Sequence, residues 1–190
     1  MFKLSISSLL FVFLSACSSG QKAGVVYHDS FDFSAVKSYS LYDHNSIFSE
    51  SQSLLDNRRN AIEIAIERSM AKRKFSYNTI DKADVIVTYY VFNGKQNDYS
   101  KYNQVVHFCT HCLRASSWQT GQKYSAISYG NLILDIVDPI QNRSVWRSVY
   151  PLDLKEKENS ADTNERIKQA VSAMLAEFPQ NDFDSKLVRK

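Results

Sequence analysis

The sequence predicts an α+β fold, in which a mixed or antiparallel sheet carries two helices on one face. Three segments predict this class. Val85–Phe92 is a run of β-branched and aromatic residues, which is typical of a strand. Leu55–Met70 and Ile167–Phe178 each carry apolar residues at helical spacing. Because both apolar stripes need cover, we expect them to pack against the same face of one sheet.

The chain begins with the pattern of a lipoprotein signal peptide, which we place at residues 1–16. Lys3 precedes an apolar run, Leu4–Leu14, that is well short of the ~20 residues needed to span a bilayer. Leu14-Ser15-Ala16-Cys17 resembles a bacterial lipobox, where a signal peptidase cuts before a cysteine that carries lipid. An ordinary secretory site would need a small residue in place of Leu14. We therefore predict lipidation of Cys17.

Lipidation would hold the protein on a membrane by its N-terminus. Each buried acyl CH₂ contributes ~0.8 kcal/mol to the free energy of membrane binding. Stable anchoring takes more than one acyl chain, and palmitate is one such chain. Ser18 stands where aspartate would retain an enteric-type lipoprotein in the inner membrane. We therefore predict an outer-membrane lipoprotein whose domain faces the periplasm. Residues 17–24 are small and polar, and would form the lipid anchor and a flexible tether.

The remaining composition is that of one folded domain, which we place at residues 25–179, followed by a polar tail at 180–190. Hydrophobic residues make up 44% of the chain, and 5 glycines and 3 prolines argue against disorder. The formal net charge is +3, and Lys3 would leave with the signal peptide. Such a nearly neutral chain gives no case for a nucleic-acid partner, which requires a clustered basic patch.

Two short strands are expected at the start of this domain. Val25–Tyr27 begins the first, and Tyr39–Tyr42 forms the second. We expect a turn around Asp32–Val36 to join them.

Capping signals mark the two expected helices. Ser53-Leu54-Leu55-Asp56 has the serine-to-acid spacing of a capping motif, and Lys72–Lys74 places positive charge at the other end. Asp162-Thr163-Asn164-Glu165 offers a capping box for the second helix, which Pro179 would stop.

The other expected strands lie in the second half of the chain. Both alternating faces of Val85–Phe92 are apolar, so that strand should be central and covered on both sides. Asn131–Val137 and Val145–Tyr150 flank the turn at Asp138–Asn142 and predict an antiparallel hairpin. Between Val85–Phe92 and Asn131–Val137, the segment Gly94–Tyr124 is irregular. We expect a hairpin or a projecting excursion there, with Val105–Phe108 as one strand.

Several short motifs resemble, in their order and spacing, one Gram-negative envelope lipoprotein family. They are Asp32–Ser34, Lys37–Tyr39, Ala83–Val85, Gly130–Asp138, Val145–Arg147, Ala170–Val171 and Phe178–Pro179. The family is the one with the domain of unknown function numbered 4136, and the likeness covers most of residues 25–179. The resemblance implies a two-layer α+β sandwich with two helices against a sheet, and it supplies no catalytic residues. His107–Cys112 departs from the family pattern.

Cys109 and Cys112 remain once Cys17 carries lipid. The periplasm permits disulfides, so we expect a structural disulfide or idle thiols here. A redox couple is one alternative, since a pair at this spacing can cycle when one thiol has a lowered pKa. Leu113 follows the second cysteine where a c-type haem site requires histidine, which excludes haem attachment.

A metal site is the other alternative for this segment. Its ligands would be His107, Cys109, His111 and Cys112. Along a strand, Cys112 would point away from the other three, so a closed site would need a tight turn at the cysteines.

Asp135 and Asp138, near Arg147, could form an acidic site, but aspartates beside a proline turn are commoner as turn formers. His28 and His44 have no partners at catalytic spacing, and the chain has no Gly-rich phosphate loop, no Gly-x-Ser-x-Gly elbow and no zinc-protease helix. We therefore predict a binding or assembly module that is not an enzyme, needs no cofactor and serves an unidentified envelope protein or ligand. A redox or metal-binding envelope protein is the alternative, and a hydrolase with an unrecognised site is the third hypothesis.

Overall fold

The computed structural model describes residues 23–42, 54–109, 112, 114–115, 127–152 and 159–179. The predicted signal peptide, lipid anchor and tail lie outside these residues. Within them are seven strands and three α helices: β1 Gly24–Tyr27, β2 Ser38–Leu41, α1 Asp56–Lys72, β3 Ser76–Tyr77, β4 Val85–Val91, α2 Gln96–Val105, β5 Arg114–Ala115, β6 Asn131–Asp138, β7 Arg143–Pro151 and α3 Ser160–Ala176. None of these helices is long and apolar enough to cross a bilayer.

The seven strands form one mixed sheet in the order β3-β2-β4-β6-β7-β1-β5. β2 runs parallel to both β3 and β4, and the other neighbours are antiparallel. β4 is central and largely buried, and β6 and β7 form the predicted hairpin. The predicted α+β class and mixed sheet are therefore confirmed.

The two short strands and the turn between them form as predicted, but the strands are not neighbours in the sheet. β1 pairs with β5 and β7, whereas β2 pairs with β3 and β4, so three strands separate them in the sheet. The connection contains a 3-10 turn at Phe33–Ala35, which begins at Asp32, whose side chain accepts from the Ser34 amide at 3.0 Å. A turn signal marks a change of direction, but it does not say which strand is the next neighbour.

Helices α1 and α3 cover one face of the sheet, which confirms that prediction. Ile66 and Met70 of α1 and Met174 of α3 are fully buried in a single core cluster with the sheet residues of that face. Arg73, just after α1, donates to the Phe178 carbonyl at 2.5 Å and so joins the ends of the two helices. Leu55, expected in the α1 stripe, is 66% exposed because it precedes the helix.

A third helix covers the opposite face, where the sequence analysis expects a hairpin or a projecting excursion. Gln96–Val105 is helical, and Tyr99, Tyr102 and Val106 are its buried residues against the sheet. These positions follow i, i+3, i+7 spacing, but two of the three are tyrosines within a polar segment. The expected strand at Val105–Phe108 is wrong, since the helix ends there and His107 has a positive φ of 44°.

The predicted capping box of the second helix is not the cap that forms at α3. Leu55 precedes α1 and makes no side-chain cap, and Ser53 lies outside the described residues. Asn159 caps α3, accepting from the Asp162 amide at 2.9 Å. The helix therefore starts before the predicted box at Asp162–Glu165, because Asn159 supplies the acceptor that the first turn needs.

Candidate functional site

A fully buried ion pair lies on the sheet face beneath α2. Asp135 of β6 and Arg147 of β7 are opposite each other in register, and neither side chain is exposed. Arg147 Nε donates to both carboxylate oxygens, at 2.9 Å to Oδ1 and 3.0 Å to Oδ2. Two charges removed from water require further hydrogen bonds if the pair is to be tolerated.

Helix α2 and β7 supply those bonds. The Tyr102 hydroxyl donates to Asp135 Oδ2 at 2.7 Å, and the Ser144 hydroxyl donates to Oδ1 at 2.5 Å. Arg147 Nη1 donates to Asn103 Oδ1 at 2.8 Å and to the Tyr99 hydroxyl at 3.3 Å. The helix is therefore joined to the sheet by a polar network as well as by apolar contact.

An aromatic ring closes over the guanidinium. The ring centroid of Phe108, just past the end of α2, lies 3.4 Å from Arg147 Cζ, and that of Tyr102 lies 5.7 Å away. A cation over an aromatic face is stabilised by the ring quadrupole, most strongly when desolvated. Phe108 thus excludes water from the side of the arginine that Asp135 does not cover.

The electrostatics keep the arginine charged and the tyrosine neutral. Burial alone would lower the pKa of Arg147, but Asp135, with Tyr102 and Tyr99, raises it above its ordinary value. Burial, and then the charge of Asp135, raises the pKa of Tyr102 well above its usual range. Arg147 Nη2 has no hydrogen-bond partner among the described residues. The arrangement therefore holds a fixed cation with one unused donor group.

The two aspartates near Arg147 have different roles. Asp138 forms the turn as predicted, since its Oδ1 accepts from the amides of Ile140 and Gln141, at 2.8 and 3.3 Å. Asp135 does not form a turn; it is the buried partner of Arg147. The signal was present in the sequence: one carboxylate inside an apolar strand, with one arginine inside the next strand of the same hairpin.

The cysteine segment follows α2 directly. Cys109 and Cys112 are joined in a disulfide with their Cα atoms 5.3 Å apart, and the Cys112 amide donates to the Cys109 carbonyl at 3.2 Å. His107 Nδ1 lies 2.5 Å from the Asn142 carbonyl, so that side chain is held by the β6–β7 turn. His111 lies outside the described residues. Where the structure is described, no three His, Cys, Asp or Glu residues are grouped as metal ligands.

His28 is held in a local network at the end of β1. Its Nε2 lies 2.9 Å from Arg143 Nη2, and its Nδ1 lies 2.8 Å from the Ser30 hydroxyl. Since the guanidinium can only donate, Nε2 is the acceptor in this contact. His44 lies outside the described residues.

The sequence profile of the family described as "Domain of unknown function (DUF4136)" matches residues 24–180, which includes every described strand and helix of this chain. The chain belongs to the DUF4136 family. Among curated proteins, none matches it.

Two solved structures are similar to this chain. One is a DUF4136 family protein from Bacteroides thetaiotaomicron, 14% identical with a TM-score of 0.49, over 79% of this chain and 93% of that chain. The other is a PDZ domain protein from Parabacteroides distasonis, 14% identical with a TM-score of 0.42, over 84% of this chain and 36% of that chain.

In this DUF4136 domain, the short motifs that carry the family resemblance meet in pairs. Ser38 and Asp84 bind each other across β2 and the start of β4. Trp146 and Phe178 pack edge to face with ring centroids 5.5 Å apart. These motifs therefore mark positions that hold the sheet and helices together.

Proposed function

We propose that this DUF4136 protein is an outer-membrane lipoprotein whose periplasmic domain is a non-enzymatic binding or assembly module. The observation that carries the proposal is Leu14-Ser15-Ala16-Cys17, which follows a short apolar run and precedes Ser18. Its partner would be an envelope protein or an envelope ligand. Cofactors and nucleic acid have no part in this proposal.

The position of β1 supports a domain held close to the membrane. β1 begins at Gly24, so a short segment separates it from the lipid-bearing Cys17. At ~3.3–3.6 Å per extended residue, the tether reaches at most about 25 Å. A partner within or beside the same membrane surface is therefore within reach of the domain.

The use of the buried charges supports a structural role for this pair over a catalytic one. Asp135 and Arg147 are bonded to each other and to tyrosine, serine and asparagine side chains, out of contact with solvent. A general acid or base must instead be within hydrogen-bond reach of a substrate proton.

Labelling cells with a palmitate analogue tests the anchor. The wild-type protein should incorporate label and fractionate with the outer membrane, and Cys17→Ala should do neither. Ser18→Asp is the sorting control and should move the labelled protein toward the inner membrane in an enteric host. Incorporation of label by Cys17→Ala would overturn the lipid-anchor proposal.

Cross-linking in intact cells tests the binding role. The lipidated protein should capture a defined envelope partner, and the Cys17→Ala protein should capture less of it because the domain is no longer held at the membrane. Equal capture by both would show that membrane placement is not needed for binding. Absence of any reproducible partner would contradict the assembly role.

The second candidate is a redox function of Cys109 and Cys112. The disulfide between them favours this function over metal binding, because zinc requires the thiolate form as a ligand. Thiol labelling with and without reductant tests the bond. Full labelling without reductant, together with zinc that is lost in Cys109→Ser and His107→Ala, would favour the metal site.

A further inference from the structure

Helix α2 covers its face of the sheet with few apolar groups. Tyr99 and Tyr102 are its buried residues, and Val106 follows at its end. Apart from Val105, the rest of the helix is polar and largely exposed. α2 buries fewer residues than α1 or α3, and local opening costs least where few apolar contacts are lost.

The end of this helix is held at three points. Val106 accepts the Ser144 amide at 2.7 Å, Phe108 donates its amide to the Asn103 carbonyl at 2.9 Å, and the Phe108 ring lies over Arg147. The next residue, Cys109, is bonded to Cys112. The disulfide is thus one residue from the ring that closes the buried arginine.

We propose that the Cys109–Cys112 disulfide is a redox-sensitive latch on the α2 cover, and that its reduction gives solvent and anionic ligands access to Arg147. A dithiol reductant would supply two electrons and two protons. The S–S bond breaks, both cysteines become thiols, and the reductant is oxidised to its own disulfide. The latch goes beyond the binding role and does not depend on the Cys17 lipid.

The geometry identifies which part of the arginine would be uncovered. Nε stays on Asp135, a contact within the sheet that displacement of α2 leaves intact. Nη1 loses Asn103 and Tyr99, and Nη2 has no partner to lose among the described residues. The two Nη groups form a fork that matches a carboxylate or phosphate group. The ligand class is therefore a carboxylate or phosphate on a molecule that enters beneath α2.

The effect should be local because the disulfide closes a very short loop. Short loops give small chain-entropy stabilisation, at the low end of about 0–5 kcal/mol. The contact of Arg147 Nε with Asp135 and the α1/α3 face do not involve the cysteines. Reduction should therefore loosen Phe108 and α2 and leave the domain folded.

Arginine-selective labelling with phenylglyoxal measures the opening directly. Peptide mass spectrometry of the full chain would follow Arg147 with the disulfide intact and after reduction. We expect about tenfold faster labelling of Arg147 after reduction, which corresponds to a free energy of opening that is lower by about 1.4 kcal/mol. Arg68, exposed on α1 on the other face, is the control and should label equally in both states.

Two variants separate the latch from a general loosening. In the variant Cys109→Ser with Cys112→Ser, Arg147 should be labelled as fast as in the reduced wild-type protein, whether or not reductant is present. Phe108→Ala should label it rapidly even with the disulfide intact, because the ring is the shield. If the double variant does not fold, the reduced wild-type protein supplies the same comparison.

Three results would overturn the latch. One is an unchanged rate of Arg147 labelling by phenylglyoxal when alkylation shows that both cysteines are reduced. Another is slow labelling in Phe108→Ala. The third is loss of the thermal unfolding transition by circular dichroism on reduction, since Arg147 would then be exposed by unfolding of the whole domain.

Discussion

Ser38 and Asp84 hold β2 against the start of β4 by reciprocal hydrogen bonds. Asp84 Oδ2 accepts from the Ser38 amide at 2.8 Å and from its hydroxyl at 2.9 Å, and the Asp84 amide lies 3.1 Å from Ser38 Oγ. The Lys37 amide also donates to Oδ2 at 2.9 Å. The parallel pair of β2 and β4 therefore begins at one carboxylate.

The first prediction concerns the charge of Asp84. Burial opposes its ionisation, but the bonds from Lys37 and Ser38 outweigh burial and hold its pKa below the ordinary value of 3.8. Its stabilising contribution is thus complete above pH 3.8 and is lost as the pH falls through the lower folded pKa. Asp84→Asn should cost about 1 kcal/mol at pH 7, since bonds to charged groups are strong but this carboxylate is exposed.

Urea unfolding at pH 7 and at pH 2 measures that dependence. The loss in Asp84→Asn should shrink toward the lower pH, as the wild-type carboxylate takes up a proton at its lowered pKa. Asp81→Asn, an exposed aspartate in the same connection, is the control and should change little at either pH. An equal loss at both pH values would show that geometry, and not charge, holds the strands.

The second prediction concerns the buried pair. Asp135→Asn or Arg147→Met alone leaves an uncompensated charge or an incomplete network, and removal of one partner of a buried pair costs ~3–5 kcal/mol. Replacing both with apolar residues of similar size should recover much of that loss. Denaturant unfolding of the single and double variants in one cycle measures the coupling. Additive single-variant losses would mean that the two side chains do not depend on each other.

The third prediction concerns Met174 in the layer shared by α1 and α3. Met174→Asp places an unpaired carboxylate in a fully buried position, which costs several kcal/mol. Total stability of a domain is ~5–15 kcal/mol, so this variant should be near unfolding. Ser172→Asp adds the same charge to the exposed face of α3 and should leave the melting temperature nearly unchanged. Equal melting temperatures for both variants would contradict the packing of α3.

The fourth prediction concerns the contribution of the disulfide to the stability of the whole domain. Cys109→Ser with Cys112→Ser should lower the free energy of unfolding only slightly, at the low end of about 0–5 kcal/mol, because the closed loop is short. Chemical denaturation of the oxidised protein and the double variant measures the difference. A loss of several kcal/mol would show that the segment is part of the stable core.

The elements that sequence analysis predicts well are those with an unbroken apolar pattern. β4 has two apolar faces, and α3 carries one continuous stripe from Ile167 to Leu175, which Phe178 extends just past the end of the helix. Such a pattern can be buried in only one way. The type of element and its buried face therefore both follow from the spacing of the apolar residues.

Helix α2 is missed because its buried positions are not apolar in the ordinary sense. The Tyr102 ring is buried while its hydroxyl binds Asp135, and the carboxylate is itself hidden in a strand that is otherwise apolar. Each polar group looks suited to solvent until its partner, far along the chain, is known. The site could therefore be identified only from the tertiary structure, because Tyr102 and Asp135 are each buried as the hydrogen-bond partner of the other.

The sheet order also dictates when the domain can be completed. β1, the first strand, is bonded on both sides by strands from the second half of the chain, β5 and β7. Its contact with Arg143–Pro151 spans most of the domain, and closure of so long a loop precedes any gain from the pairing. During synthesis, β1 therefore has no β7 partner until the β6–β7 hairpin has emerged.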